Sequence, residues 1–205
     1  MASEESKRNR ILEFSFHKFT TVGINNITMD EIAKGLGMGK GTLYKYYPSK
    51  EELLYNTIQY FAGRIETSVQ MILADEKLTT VEKLNAFFKL IGERFSLLNP
   101  IAIENIARSF PEAFNKITEI RSRVIMTNLF QLFEEGKKSG IFREDMDTNL
   151  VAHILVGAAN HIVDSKVIST LNYSLSNLLH AIISTILKGC LTEEGNRLAF
   201  ESGTV

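Results

Sequence analysis

The chain has 205 residues, of which 44% are hydrophobic and 23% are charged, and its formal net charge at pH 7 is −1. This length and apolar content suffice for one small and one medium-sized packed unit, and the net charge argues against a protein that coats nucleic acid over its whole surface. There is no apolar run of about eighteen residues and no charged start followed by an apolar run, so we expect neither a membrane span nor a secretory signal, and we expect a cytoplasmic protein. The single cysteine, Cys190, lies among apolar residues and is predicted to be buried.

Apolar residues recur at intervals of three and four almost throughout, and only three prolines interrupt them. This pattern predicts an all-α protein with about nine helices. We expect helices at residues 6–22, 28–37, 40–46, a long stretch after Ser49, then 81–98, 100–110, 111–138, 147–166 and 174–191. A polar tail is expected after Thr192.

Helix starts are indicated by a hydroxyl residue followed three positions later by glutamate. In such a pair the hydroxyl accepts from a free backbone N–H at the helix start, and the carboxylate reaches back to the first residue. Four pairs fit the pattern: Thr28 with Glu31, Ser49 with Glu52, Thr79 with Glu82, and Ser109 with Glu112.

Two short predicted helices, separated by residues 37–39 and preceded by a longer one, have the sequence form of a helix-turn-helix. Residues 34–50 contain four lysines and no carboxylate, which makes a confined basic patch. Charge alone fits a solvated helix face equally well. The threonine and tyrosines between the lysines favour DNA, because hydroxyls, rings and ammonium groups contact phosphates and base edges.

These residues resemble the DNA-binding signature of the TetR family over about residues 11–54. The resemblance rests on Gly23, Thr28, Ile32, Ala33, Gly37, residues 41–47 and residues 49–53. Residues 140–143, with Asp145 and Asp147, also resemble the turn that these regulators carry before their last two helices. The resemblance implies an N-terminal three-helix helix-turn-helix domain at residues 1–48, followed by a larger helical ligand-sensing and dimerisation domain at residues 49–205.

The same resemblance implies roles for individual side chains. Thr28 would bind phosphate at the start of the second helix, and Lys50 would hold phosphate at the start of the fourth helix. Thr42, Tyr44 and Lys45 would enter the major groove. Tyr46 would reach the sugar-phosphate backbone.

Four neighbouring positions complete this interpretation. Lys40 would flank the contact surface, and Gly41 would let the backbone approach DNA closely, unless a small residue is needed there only for packing. Tyr47 stands where the family usually has phenylalanine, so we assign its ring to the core. Gly39 stands where serine is common, so the third helix would lack a side-chain cap. The alternative for the whole segment is a three-helix packing unit with aromatic residues by chance.

The last two predicted helices carry apolar stripes too broad for one neighbour to cover. Pairing with a second copy would cover them, and two recognition helices about 34–36 Å apart would read a pseudo-palindrome. We expect the dimer interface to include Ile154, Gly157, Ala158, Leu178, Ile182 and Ile186. If one subunit covers both stripes, the chain would be a monomer.

The larger domain is rich in phenylalanine. The first explanation is that most of these residues form the core, and the second is that some of them line a cavity for an apolar ligand. Candidate aromatic residues for such a cavity are Phe88, Phe95, Phe110, Phe114 and Phe130. Candidate polar residues are Arg121, His153, Asn160 and His161. The polar group equally fits dimer or core contacts, and we expect Arg121 to be exposed.

The predicted function is a ligand-responsive transcription regulator, in the first place a repressor, that binds double-stranded DNA as a homodimer and is released by a small apolar or aromatic effector. The alternative is an architectural DNA-binding protein of the same fold without an effector. An enzyme is not indicated, because the sequence offers neither a phosphate-binding glycine loop nor a catalytic set of side chains. We expect no cofactor, no catalytic site and no metal site.

Overall fold

A computed structural model describes residues 4–96, 100–162 and 174–201. The described residues contain ten α-helices, which confirms the all-α prediction. The helices are α1 (Glu4–Thr21), α2 (Met29–Gly35), α3 (Lys40–Tyr46), α4 (Lys50–Ala74), α5 (Thr80–Ser96), α6 (Pro100–Ser109), α7 (Pro111–Lys138), α8 (Thr148–Ile162), α9 (Leu175–Lys188) and α10 (Glu193–Glu201). A 3₁₀ turn, Ile24–Asn26, lies between α1 and α2. In the part of the chain that the structure describes, none of the helices has the length and apolar content that crossing a membrane requires.

The chain forms two compact units. The first contains Met1–Arg64 and Leu98–Ile120, and the second contains Ile65–Leu97 and Arg121–Val205. Helices α4 and α7 therefore each contribute to both units. We expected a functional division after residue 48, and that division remains a prediction.

The core of the first unit is built mainly from the inner faces of α1 to α4. Its most completely buried side chains are Ile11, Ile24, Ile32, Leu43 and Leu53. Each of them comes from a different element, namely α1, the 3₁₀ turn, α2, α3 and α4, so all five elements contribute to one core. The ring of Tyr47 is 3% exposed and belongs to this core, as predicted.

In the second unit α9 packs against both α5 and α8. Helix α7 ends at Lys138 and is followed by Gly140, whose φ of 72° is the left-handed conformation that glycine tolerates best. The Ile141 N–H donates to the Gly136 carbonyl at 2.8 Å, which closes the helix end and turns the chain toward α8. Gly136 also gives room to the Phe142 ring, because a Cβ at position 136 would lie 2.4 Å from Cδ2 of that ring.

The predicted polar tail after Thr192 was wrong, because residues 193–201 form helix α10. The Thr192 hydroxyl caps this helix by accepting from the Gly195 N–H at 2.9 Å, and it donates to the Gly140 carbonyl at 2.7 Å. Ala199 is 3% exposed, so α10 buries one face. The segment is short and mostly polar, and its apolar residues are too few to show a helical period.

Three of the four predicted N-caps are present, at Thr28, Ser49 and Thr79. The fourth, at Ser109, was wrong. The Phe114 N–H donates to the Phe110 carbonyl at 2.9 Å, so Phe110 is the N-cap of α7 and Pro111 takes the first helical position, where its missing N–H does no harm. The predicted eighth helix reached residue 166, and its part beyond Ile162 lies outside the described residues.

Candidate nucleic-acid interface

The turn between α2 and α3 is fixed by backbone hydrogen bonds around Gly37. Gly37 has a φ of 67°, its N–H donates to the Lys34 carbonyl at 3.1 Å, and the Met38 N–H donates to the Ala33 carbonyl at 3.0 Å. This pair of bonds is the Schellman arrangement, and it needs a residue that accepts the left-handed conformation. The glycine predicted to end α2 therefore sets the direction in which α3 leaves.

Helix α3 has one buried and one exposed side. Leu43 is fully buried, whereas Gly41, Thr42, Tyr44 and Lys45 are exposed. No atom lies within 4 Å of a Cβ built at Gly41, so packing within the described residues does not require a glycine there. The outer face of α3 is thus available to a partner along most of its length.

The N-cap Gly39 makes no side-chain cap bond, as predicted from the missing serine.

Thr28 forms the complete capping box that its sequence predicts. The Glu31 N–H donates to the Thr28 hydroxyl at 3.2 Å, and the Glu31 carboxylate accepts from the Thr28 N–H at 2.7 Å and from its hydroxyl at 2.8 Å. These two donors hold the pKa of Glu31 below its ordinary value. The position expected to receive a phosphate is therefore already served by an internal carboxylate.

Lys40 has a partner that the sequence interpretation missed. Its ammonium lies 2.8 Å from the Asp30 carboxylate and 5.7 Å from the centroid of the Tyr44 ring. The hydrogen bond to Asp30 raises the pKa of Lys40. The Lys40 and Asp30 side chains are 61% and 55% exposed, so this is a surface ion pair, which solvent and salt weaken. The basic patch looked free of carboxylates because the acidic residue comes just before it in the sequence.

Tyr46 links the end of α3 to the beginning of α1. Its hydroxyl is hydrogen-bonded to the Glu4 carboxylate, which raises the pKa of Tyr46. The Arg8 guanidinium lies 5.6 Å from the centroid of its ring. Helix α1 begins two residues earlier than expected, and no local signal in the sequence indicated these two contacts.

Lys50 does not project freely into solvent. Its ammonium donates to the Ile24 carbonyl at 2.6 Å and to the Ile27 carbonyl at 2.9 Å, and burial lowers its pKa. The residue expected to hold a phosphate at the start of α4 therefore contacts the segment just before α2.

In the second unit, two of the candidate ligand residues lie together. An Arg121 N–H donates to the Asn160 side-chain oxygen at 2.7 Å, and the Asn160 amide donates to the Ser122 hydroxyl at 2.9 Å. Burial lowers the pKa of Arg121. The expectation that Arg121 is exposed was wrong, because α7 turns this side of its helix inward, toward α8.

The other ligand candidates are dispersed. Phe110 and Phe114 belong to the first unit, where Phe110 packs against the core, and Phe88 is half-buried in the second unit. Three are exposed: Phe130, His153 and His161. The Phe95 side chain lies outside the described residues.

The predicted dimer residues differ in their burial. On α8, Ile154 is 47% exposed, and Gly157 is exposed as well. Ala158, Ile182 and Ile186 are half-buried, and Leu178 is 9% exposed. Helix α8 therefore keeps an apolar outer face, which Leu150 extends at 57% exposure, whereas Leu178 is covered within the chain.

Comparison with known proteins matches both parts of the chain to families of regulators. Residues 11–55 match the bacterial regulatory proteins of the tetR family, and residues 58–189 match the C-terminal region of YsiA-like proteins. The fatty acid metabolism regulator protein of Bacillus subtilis is 26% identical over 199 residues, which cover 92% of this chain and 98% of that protein.

Two solved structures illustrate the shared fold. A TetR transcription regulator from Haloarcula marismortui matches with a TM-score of 0.74 at 18% identity, covering 92% of this chain and all of the other. The regulator FadR from Bacillus subtilis, solved in complex with stearoyl-CoA, matches with a TM-score of 0.66 at 24% identity, covering 88% of this chain and 98% of the other. With a helix-turn-helix of this geometry and matches that span most of its length, the chain belongs to the TetR family of transcriptional regulators.

Proposed function

We propose that this regulator is a cytoplasmic repressor that binds a pseudo-palindromic operator as a homodimer and leaves it when a largely apolar effector binds. The observation that carries the proposal is the outer face of α3. Thr42, Tyr44 and Lys45 stand exposed around the buried Leu43, on a helix whose direction is fixed by the Gly37 turn. These residue types at the surface of a second short helix suit insertion into the major groove.

The residues around α3 provide the phosphate contacts in this proposal. Lys40 exchanges the Asp30 carboxylate for a phosphate, and Gly41 lets the backbone approach the duplex. Tyr46 at the end of α3 and Thr28 at the start of α2 add further contacts. Because Lys40 and Asp30 are both more than half exposed, exchanging one anion for another carries little penalty.

The exposed apolar face of α8 supports dimerisation. Leu150 and Ile154 are large apolar side chains about half exposed, and Gly157 lies on the same face with nothing within 4 Å of a built Cβ. A second copy of α8 crossing at Gly157 would cover this face, with Ala158, Ile182 and Ile186 at its edge.

For the effector we propose a molecule with a long apolar chain, and an acyl thioester of coenzyme A is the first to test. The support is the likeness to a fatty acid metabolism regulator and to a structure solved with stearoyl-CoA. In the second unit, Arg121 and Asn160 lie together and offer donors to a polar end of the ligand.

Release follows from linkage between the two sites. A ligand shifts an equilibrium only by its difference in affinity for the two states, so an effector that loosens DNA must itself bind more weakly to the DNA-bound dimer. Helix α4 is the natural carrier of this coupling, since its residues belong to both units.

The DNA-binding proposal is tested by selecting bound sequences from random duplexes and measuring affinity for the selected site at several salt concentrations. Lys45→Ala should weaken binding and lower the slope of log affinity against log salt by about one unit. Lys77→Ala makes the same charge change at an exposed position in the second unit and should leave the slope unchanged. Equal slopes for both variants and the wild type would contradict the placement of α3 in the groove.

The effector proposal is tested on the selected duplex with stearoyl-CoA, a short-chain acyl-CoA and free coenzyme A. Stearoyl-CoA should release the protein, and free coenzyme A should not, because the apolar chain provides the binding energy. If all three leave the DNA affinity unchanged, acyl thioesters are not the effector class.

A further inference from the structure

The Lys50 ammonium lies in a small cradle of backbone oxygens at the base of the helix-turn-helix. It donates to the Ile24 carbonyl at 2.6 Å and to the Ile27 carbonyl at 2.9 Å. Both oxygens belong to residues whose side chains are anchored in the core, since Ile24 is fully buried and Ile27 is 5% exposed. The ammonium is therefore bound by a fixed part of the chain.

The cradle lies immediately before the start of α2. Ile27 precedes Thr28, the N-cap of α2. The N–H and the hydroxyl of Thr28 are the main reason why the pKa of Glu31 is lowered, and the charge of Lys50 adds a smaller effect in the same direction. The single ammonium at the first residue of α4 thus contacts the segment that leads into α2 and also stabilises the charge of its capping box. Because α2 is joined to α3 through the hydrogen-bonded Gly37 turn, we expect a shift of the α2 N-terminus to be passed on to α3.

We propose that Lys50 is a positioning residue, which ties the start of α4 to residues 24–27 and so orients the recognition helix, and that it is not a ligand for DNA phosphate. This inference rests on the proposed DNA-binding function. Two of the three N–H donors of Lys50 are already used, and its ammonium is partly withdrawn from solvent. A phosphate contact with Lys50 would therefore contribute less binding free energy than a contact with the exposed Lys45.

The two roles predict different dependence on salt and on DNA sequence. A phosphate ligand contributes to all duplexes alike and releases about one counterion, so its loss lowers the salt slope by about one unit. A positioning residue affects the fit of α3 to base edges. Its loss therefore weakens the selected site and leaves non-specific binding and the salt slope unchanged.

The experiment compares Lys50→Met with Lys45→Met on the selected duplex and on a random duplex. Methionine keeps the length and burial of the lysine stem and removes the donors. We expect Lys50→Met to lose about tenfold in affinity for the selected site, with an unchanged slope and about the wild-type affinity for random DNA. Lys45→Met should lower the slope by about one unit. A slope lowered in Lys50→Met as well, or wild-type binding by this variant, would overturn the proposal.

A second variant keeps the positive charge. Arginine binds phosphate at least as well as lysine does, but its planar fork does not fit a cradle shaped around a compact ammonium. Lys50→Arg should therefore lose affinity for the selected site as Lys50→Met does, and full activity of Lys50→Arg would overturn the proposal. So would failure of both variants to fold, because Lys50 would then support the fold as a whole.

Hydrogen exchange in the absence of DNA separates this inference from the function on which it rests. Amides of residues 24–31 should exchange faster in Lys50→Met than in the wild type, whereas Lys45→Met should leave them unchanged. If the wild type bound no duplex but this exchange difference were present, the DNA-binding proposal would fail, whereas the proposal that Lys50 holds residues 24–27 would be supported. Unchanged exchange in Lys50→Met would contradict the proposal that Lys50 holds the segment before α2.

Discussion

The contact between α10 and the turn after α7 gives a prediction that can be worked out from distances. Gly195 lies in the first turn of α10, against the backbone of Ile141. A Cβ at position 195 would lie 2.2 Å from the Ile141 carbonyl oxygen and 3.0 Å from its carbon. Both atoms are backbone and cannot rotate away, so in Gly195→Ala the whole first turn of α10 must move.

The required movement is about 1 Å, and it disturbs hydrogen bonds as well as packing. The Thr192 N–H donates to the Ile141 carbonyl at 3.0 Å, and the Thr192 hydroxyl donates to the Gly140 carbonyl at 2.7 Å. Overpacking costs about 1–3 kcal/mol and a lost cap about 1 kcal/mol. We expect Gly195→Ala to lower the free energy of unfolding by about 2–4 kcal/mol, opposite in sign to the gain of about 1 kcal/mol for an ordinary helical glycine.

Thermal unfolding followed by circular dichroism measures this effect. For a chain of this size each kcal/mol shifts Tm by about 2–4 °C, so the drop should be about 4–16 °C. Gly92→Ala in α5 is the matched control, because nothing lies within 4 Å of a Cβ built there, and it should be stabilised by about 0.5–1 kcal/mol. If Gly195→Ala melts at or above the wild-type temperature, the close approach of α10 to Ile141 is refuted.

Three further perturbations test the surfaces around the first and second units. Asp30→Asn should tighten DNA binding at low salt, because it frees Lys40 and removes a negative charge. Fluorescence anisotropy with a labelled duplex measures the affinity. Weaker binding by this variant would contradict the role of Lys40. Gly157→Arg should give a folded monomer in light scattering, because the space beside Gly157 is open within the described chain, and an intact dimer would place the interface elsewhere. The pKa of Glu31 is lowered on folding, so its stabilising effect is present at neutral pH and is lost as the pH falls below about 4.3. The urea concentration at the midpoint of unfolding should therefore depend less on pH in this range in Glu31→Gln than in the wild type. Identical pH profiles for the two proteins would argue against the capping box.

The parts of the structure that follow from neighbouring residues could be predicted from the sequence. The Thr28 capping box, the Gly37 helix end and the short α3 with Leu43 inward each depend on residues within about one helical turn. The family resemblance, and not a local pattern, placed Tyr47 in the core and predicted that α3 lacks a side-chain cap at Gly39.

Contacts between residues far apart in the sequence could not be predicted in this way. Lys50 and its two carbonyl partners are separated by 26 and 23 positions, and Arg121 and Asn160 by 39. Such pairs depend on how helices pack, and no periodic pattern in the sequence specifies them. Helix α10 was missed for a related reason, since its stability comes from its contact with the turn after α7 more than from its own residues.

Several side chains proposed to contact DNA are held by the protein's own carboxylates. These pairs are Thr28 with Glu31, Lys40 with Asp30, and Tyr46 with Glu4. Binding to DNA must exchange or accommodate each carboxylate, so the gain from a phosphate contact is only the difference between two favourable interactions. For a chain with a net charge of −1 we therefore expect low affinity for arbitrary DNA, and we expect sequence discrimination to come from the exposed outer face of α3. If the free energies of the DNA-bound and released states therefore differ little, the effector proposed above could shift the equilibrium with a modest difference in its affinity for the two states.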